Sequence, residues 1–147
     1  MMSNGTDISQ SGSKGSYSFE DLEVYKSARI FRKAIFNLIR VLPEDEKFNL
    51  VSQMRRAATS ITNNIAEGHG RYHYQENIQY LRQARGSLEE VLDDINICLD
   101  ENYQPPEPLM KLKTEGFELL HRLNGYIRYL RKMKQGEHLR ISSAGDQ

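Results

Sequence analysis

Glu118 and His121 stand in a Glu-x-x-His arrangement, the spacing that sets a carboxylate and an imidazole one helical turn apart in di-metal bundles. Such a centre needs a second copy of the pair and two more inward carboxylates. The 147-residue chain holds no second copy. By helical angle both residues also lie away from the Leu123, Ile127 and Leu130 face, so a solvated surface pair is expected. His69 and His73 are four apart, but Gly68 and Gly70 interrupt the helix that would aim them at one ion, and no His-Glu-x-x-His frame encloses them. Gly68-His69-Gly70 is not a phosphate loop either, because neither glycine-rich frame is present and no strand precedes it. Cys98 has no partner, which excludes an intrachain disulfide and a thiolate metal site. Its place beside an apolar stripe suits a small core residue. No Ser, Thr or Cys carries the local signature of an activated nucleophile. The sequence therefore predicts no enzyme, no metal site and no cofactor.

Charge is more informative. Lys plus Arg number 20 and Asp plus Glu 20, a balance that offers no general attraction to a polyanion or a membrane surface. The balance is a cancellation between patches. Gly86 through Met110 hold seven acids and no Lys or Arg, whereas Arg122 through Lys134 hold five basic residues and no acid. Arg55, Arg56, Arg71, Arg82 and Arg85 form a second basic group around the middle of the chain. With Tyr72, Tyr74 and Tyr129 interleaved, these residues suit phosphates and stacked, unpaired bases. Pairing of acidic with basic faces, between helices or between subunits, is the equally open alternative. Glu89, Glu90, Asp93 and Asp94 place like charges one turn apart, either as a solvated face or as a docking surface for a basic partner.

Four segments carry these residues. Residues 1–18 and 135–147 are poor in apolar side chains, and a tail is expected at each end; the folded unit is 19–134. Pro43, the Gly68–Gly70 cluster and Pro105-Pro106 with Pro108 divide it. Val24, Ala28, Phe31, Ile35, Leu38 and Leu42 recur every three or four residues, which places them on one helical face, and Ser18 offers an N-cap with the acid Asp21 in the first turn. Leu50, Met54, Ala57, Ala58, Ile61 and Ile65 do the same over about 44–67, with Gly68 as the stop. Leu81, Ala84, Leu88, Val91, Leu92, Ile95 and Leu99 follow over about 72–102, where Gly86 suggests either close approach of a neighbour or a tolerated defect. Leu109, Leu112, Leu119, Leu123, Tyr126, Ile127 and Leu130 complete the set over about 107–134. No segment alternates with period two. The expected fold is all-α, an antiparallel up-down four-helix bundle. Ile30, Phe36, Ile97 and Phe117 point off their faces, which favours burial between subunits. No apolar run approaches the length of a membrane span and residues 1–18 lack the regions of a signal peptide, so a soluble, cytoplasmic location is expected.

The segments Phe19-Glu-Asp-Leu-Glu-Val-Tyr-Lys, Gln53-Met-Arg-Arg-Ala-Ala-Thr-Ser-Ile-Thr-Asn-Asn-Ile-Ala-Glu-Gly68 and Gly86-Ser-Leu-Glu-Glu90 resemble the four-helix-bundle proteins encoded by intervening sequences in bacterial 23S ribosomal RNA genes. The resemblance spans about 19–134. It implies an up-down bundle assembling as a homopentamer. More distantly it extends to the accessory proteins of diversity-generating retroelements, whose pentameric barrels bind nucleic acid through basic surfaces and engage a reverse transcriptase. Two functions are thus expected to compete. In the first, Arg55, Arg56, Arg71, Arg122, Arg128 and Lys132 bind RNA or a ribonucleoprotein. In the second, Glu89, Glu90, Asp93 and Asp94 dock a basic protein such as a reverse transcriptase. The motif residues Asn64 and Glu67 could cap, bridge helices or meet an arginine across a subunit contact.

Overall fold

The computed structural model describes residues 17–145. Ser18 does cap, but a shorter element than expected. Its hydroxyl accepts from the Glu20 N–H (3.1 Å) and its own N–H donates to Asp21 Oδ2 (2.9 Å), closing a capping box on the single 3-10 turn Phe19–Asp21. Four helices follow: α1 (Glu23–Ile39), α2 (Leu50–His69), α3 (Tyr74–Asp100) and α4 (Pro106–Gly145). There is no strand among the described residues. Glu44, Asp45 and Glu46 form a 3-10 turn ahead of α2 rather than its first turn, and Glu46 Oε2 accepts from the Leu50 N–H (3.2 Å) at the helix start. A negative charge here satisfies a free N–H and meets the positive end of the helix dipole.

Cross-helix hydrogen bonds fix an up-down order. Arg32 Nη1 of α1 donates to Thr62 Oγ1 of α2 (2.8 Å), Ser87 Oγ of α3 to Ser60 Oγ of α2 (2.8 Å), and Arg85 Nη1 of α3 to Asn124 Oδ1 of α4 (3.0 Å). The ring closes where α1 meets α4, the sparsest of the four seams. Every residue assigned to the four apolar stripes is buried except Leu99, Leu112 and Tyr126, which pack half-buried against the core.

The last turn of α3 is closed by a Schellman motif. Tyr103 N–H donates to the Cys98 carbonyl (3.0 Å) and Asn102 N–H to that of Leu99 (3.2 Å), with Asn102 at φ 55°. Asparagine tolerates that left-handed conformation better than most residues. Pro106 then opens α4 where its missing N–H is no loss. Tyr103 also ties two turns together, because its hydroxyl donates to Glu46 Oε1 (2.9 Å).

Several expectations need correction. Gly86 does not mark a close approach, since nothing lies within 4 Å of where its Cβ would stand. It is an exposed glycine inside a helix. Gly86→Ala should therefore stabilise the protein by about 1 kcal/mol, through helix propensity alone, read as a raised urea midpoint at unchanged slope. Gly68 is not a stop. It lies within α2, which ends at His69 with Gly70 as its C-cap, and its Cβ would stand 2.7 Å from Asn77 Oδ1 and 2.8 Å from Tyr80 Cβ. The close approaches are at Gly68 and Gly116. Of the off-face residues, Ile30, Ile97 and Phe117 are exposed, but Phe36 packs half-buried on the core under the Arg55 guanidinium, 5.0 Å from the ring centroid.

The expected C-terminal tail is the largest difference: α4 continues through residues 135–145. No proline interrupts this stretch, and Gln135, Glu137, Leu139 and Arg140 are good helix formers that extend an existing helix without a new nucleation cost. Its side chains are almost all exposed, so it projects past the bundle. Of the expected N-terminal tail, all but Tyr17 and Ser18 lies outside the described residues.

Candidate polyanion-binding groove

The antiparallel packing sorts charge along the bundle axis. One end holds the α1–α2 turn, the C-terminal half of α3 and the start of α4. It carries Glu44, Asp45, Glu46, Glu89, Glu90, Asp93, Asp100, Glu101 and Glu107. The other end holds the α2–α3 turn, the start of α3 and the C-terminal half of α4. Residues 69–85 and 122–140 bring Arg71, Arg82, Arg85, Arg122, Arg128, Arg131, Lys132, Lys134 and Arg140 there, against Glu76 and Glu137 of the same segments, Glu20, Asp21 and Glu23 at the start of α1 and Glu67 at the end of α2. Among the described residues the only ion pairs are Lys26–Glu23 and Lys47–Glu44, each within one helical turn. The acidic and basic faces do not neutralise one another inside the chain.

The six basic residues singled out in the sequence do not form one surface. Arg55 and Arg56 lie on the outer face of α2, about 20 Å along the axis from Arg71 at 1.5 Å per residue. Arg55 lies over the Phe36 ring and lines an open groove on α2 with Arg56, Asn64 and Glu67. Arg71 stacks on Tyr80 (4.9 Å to the centroid) and donates from Nη2 to its hydroxyl oxygen (2.6 Å). Arg122 faces α1, donating to Ser27 Oγ (2.6 Å). Arg131 is nine residues further along α4, so at 100° per residue the two arginines leave opposite flanks. Arg128 and Lys132 are exposed on the outer side of α4. Of the motif polar residues, Asn64 folds back on its own helix, with Nδ2 donating to the Ser60 carbonyl (2.9 Å) and Ser60 Oγ (2.9 Å), while Glu67 stays exposed.

A built cationic site lies elsewhere. Between the start of α3 and the projecting part of α4 runs a groove of about 590 Å³, lined by Gln75, Ile78, Arg82, Arg131, Lys134, Gln135, His138 and Leu139. None of these is acidic. Lys134 Nζ donates to Gln75 Oε1 (2.6 Å), which holds the ammonium at the groove wall. Arg131, Lys134 and His138 are spaced three and four apart, so one flank of α4 presents all three. The expectation that the helix stops at 134 covers Arg131 and Lys134 and hides only His138 from this flank.

The candidate docking acids are corrected in one member. Glu89, Glu90 and Asp93 are exposed, but Asp94 is 4% exposed and its Oδ2 has no hydrogen-bond partner. Burial first, then the charges of Glu90 and Asp93, push its carboxyl up to about 6. One turn on, Cys98 is fully buried and its thiol is pushed up to about 11 by burial, Asp94 and Glu46. A thiol so far from ionising is a poor nucleophile. Glu118 and His121 are both exposed, and no group of three or more His, Cys, Asp or Glu side chains is arranged to hold a metal ion among the described residues. No described helix is long and apolar enough to cross a membrane.

Residues 20–125 match the model of a family described as 23S rRNA-intervening sequence protein. The crystal structure of a protein of unknown function from the S23 ribosomal protein family of Bacteroides thetaiotaomicron is similar in fold, with a TM-score of 0.66 and 24% sequence identity over 71% of this chain and 97% of that one. No curated protein matches the chain.

Proposed function

The chain belongs to the 23S rRNA-intervening sequence protein family, and from that premise and its charge pattern we propose that it is a non-enzymatic, oligomeric, cytoplasmic bundle that binds RNA or a ribonucleoprotein. The observation that carries this reading is the basic end, where Arg71, Arg82, Arg85, Arg122, Arg128, Arg131, Lys132, Lys134 and Arg140 have no acidic partner among the described residues. Such a surface would neutralise phosphates and release the counterions condensed on the RNA, so affinity falls with salt in proportion to the contacts made. For about four phosphates on a single strand, binding should weaken about fiftyfold between about 50 and 200 mM salt. A filter-binding series on RNA checks this, and absence of binding at low salt, or binding indifferent to salt, would sink the reading. Within the family reading the oligomer is a homopentamer, with exposed Ile30 and Phe117 available for burial between copies. Mass measurement in solution tests it, and a monomer at micromolar concentration counts against it.

The second reading, an adaptor for a basic protein such as a retroelement reverse transcriptase, rests on Glu89, Glu90 and Asp93, which are exposed and unpaired among the described residues. Asp94 is not part of it. Reversing the three exposed charges should abolish recovery of the partner, and unchanged recovery would reject the adaptor.

A further inference from the structure

We propose that the groove between the start of α3 and the projecting end of α4 takes the unpaired nucleotides of a single-stranded RNA, a narrower ligand class than the RNA reading on which it rests. Its walls supply Arg82, Arg131 and Lys134 for consecutive phosphates, with no carboxylate among the lining residues. A volume of about 590 Å³ is in the range of sites that enclose a small ligand.

The apolar part of the lining decides between single and double strands. Ile78 is buried at the floor, while Leu139, 71% exposed, stands at the wall on the projecting turns of α4. Cations alone serve any polyanion. A large aliphatic side chain beside them gains only from a ligand that brings an apolar face, and an unpaired base has one. A double helix keeps its base faces stacked inside, and the deep groove of A-form RNA shuts side chains out. It would meet the cations and leave Leu139 in water.

Fluorescence anisotropy with the full chain tests this, using a labelled, unstructured RNA of about eight nucleotides and a duplex of the same sequence. Removing two phosphate contacts with Arg131→Gln and Lys134→Gln should weaken single-strand binding about tenfold and lower the salt slope by about 1.4. Leu139→Ser should weaken single-strand binding about threefold, as expected for loss of a partial base contact, and leave duplex binding unchanged. Lys111→Gln with Lys113→Gln, at the acidic end, removes the same charge outside the groove and should do neither. The altered side chains are exposed or half-exposed, and unchanged circular-dichroism melts confirm folding. If the chain binds RNA but both groove variants bind as the unaltered protein does, the groove assignment is wrong while the RNA reading stands. Equal affinity for duplex with no effect of Leu139→Ser overturns the single-strand assignment, as does displacement of the RNA by an acidic peptide of equal charge. Absence of any RNA binding at low salt removes both.

Discussion

Replacing Gly116 with leucine should destabilise the protein by more than about 3 kcal/mol, read as a large fall in the urea midpoint. Gly116 lies in α4 where three helices meet: its Cβ would stand 2.6 Å from Leu92 Cδ2 of α3 and 3.1 Å from Phe31 Cζ of α1. Interiors are packed as densely as organic crystals, so the displaced rings and methyls have no space to enter. Gly116→Ala is milder. The Leu92 methyl is the far end of a flexible side chain, and the gain in helix propensity of about 1 kcal/mol offsets part of the strain, leaving a net loss of about 1 kcal/mol. Gly116→Ala and Gly86→Ala are the same chemical change in the middle of a helix, and they should have opposite signs. Equal stability of the two variants would refute the account of α4 packing.

Asp94→Asn should raise stability at neutral pH by about 1–2 kcal/mol and flatten the dependence of stability on pH between about 4 and 6. Asp94 is the one buried carboxylate among the described residues, and its folded-state pKa of about 6 stands above the ordinary 3.8. Between those values the folded protein binds more protons than the unfolded chain. Stability is then highest below about pH 4, falls as pH rises through that window, and levels off above about 6, opposite in sign to a salt-bridged acid. A two-unit shift corresponds to about 3 kcal/mol, and residual solvent screening reduces this to the range given. Denaturation of both proteins at pH 4 and pH 8 checks it. Identical pH dependence would show that Asp94 is hydrated in the folded state.

The four apolar stripes were legible because a helix repeats its burial every three to four residues, and that repeat is written directly in the sequence. What depends on a partner element was not. A glycine kept for close approach looks the same as one that is merely tolerated, so Gly86 drew the explanation that belongs to Gly116. Asp94 was grouped with its acidic neighbours by adjacency. Its place one turn from the buried Val91 and Cys98 was the signal that it faces inward. Arg55 through Lys132 were grouped by type, but helices separate residues of one type by axial rise and by rotation, and only Arg128, Lys132 and Arg71 are left near the basic end and free of the α1 seam. Of the groove residues, Arg131 and Lys134 fall inside the expected fourth helix, whereas Gln135, His138 and Leu139 fall past it, because low apolar content suggests a tail where no proline or cap ends the helix.

The sorting of acids to one end of the bundle and cations to the other also bears on how the molecule meets a ligand. A neutral protein with separated poles has no net pull toward a polyanion, yet it feels a torque in that ligand's field. The bundle would rotate to lead with its basic end before any contact forms, and added salt would slow productive encounters as well as weaken the complex once made. Inverting the poles, with net charge held at zero, should therefore slow association even where the groove itself is untouched.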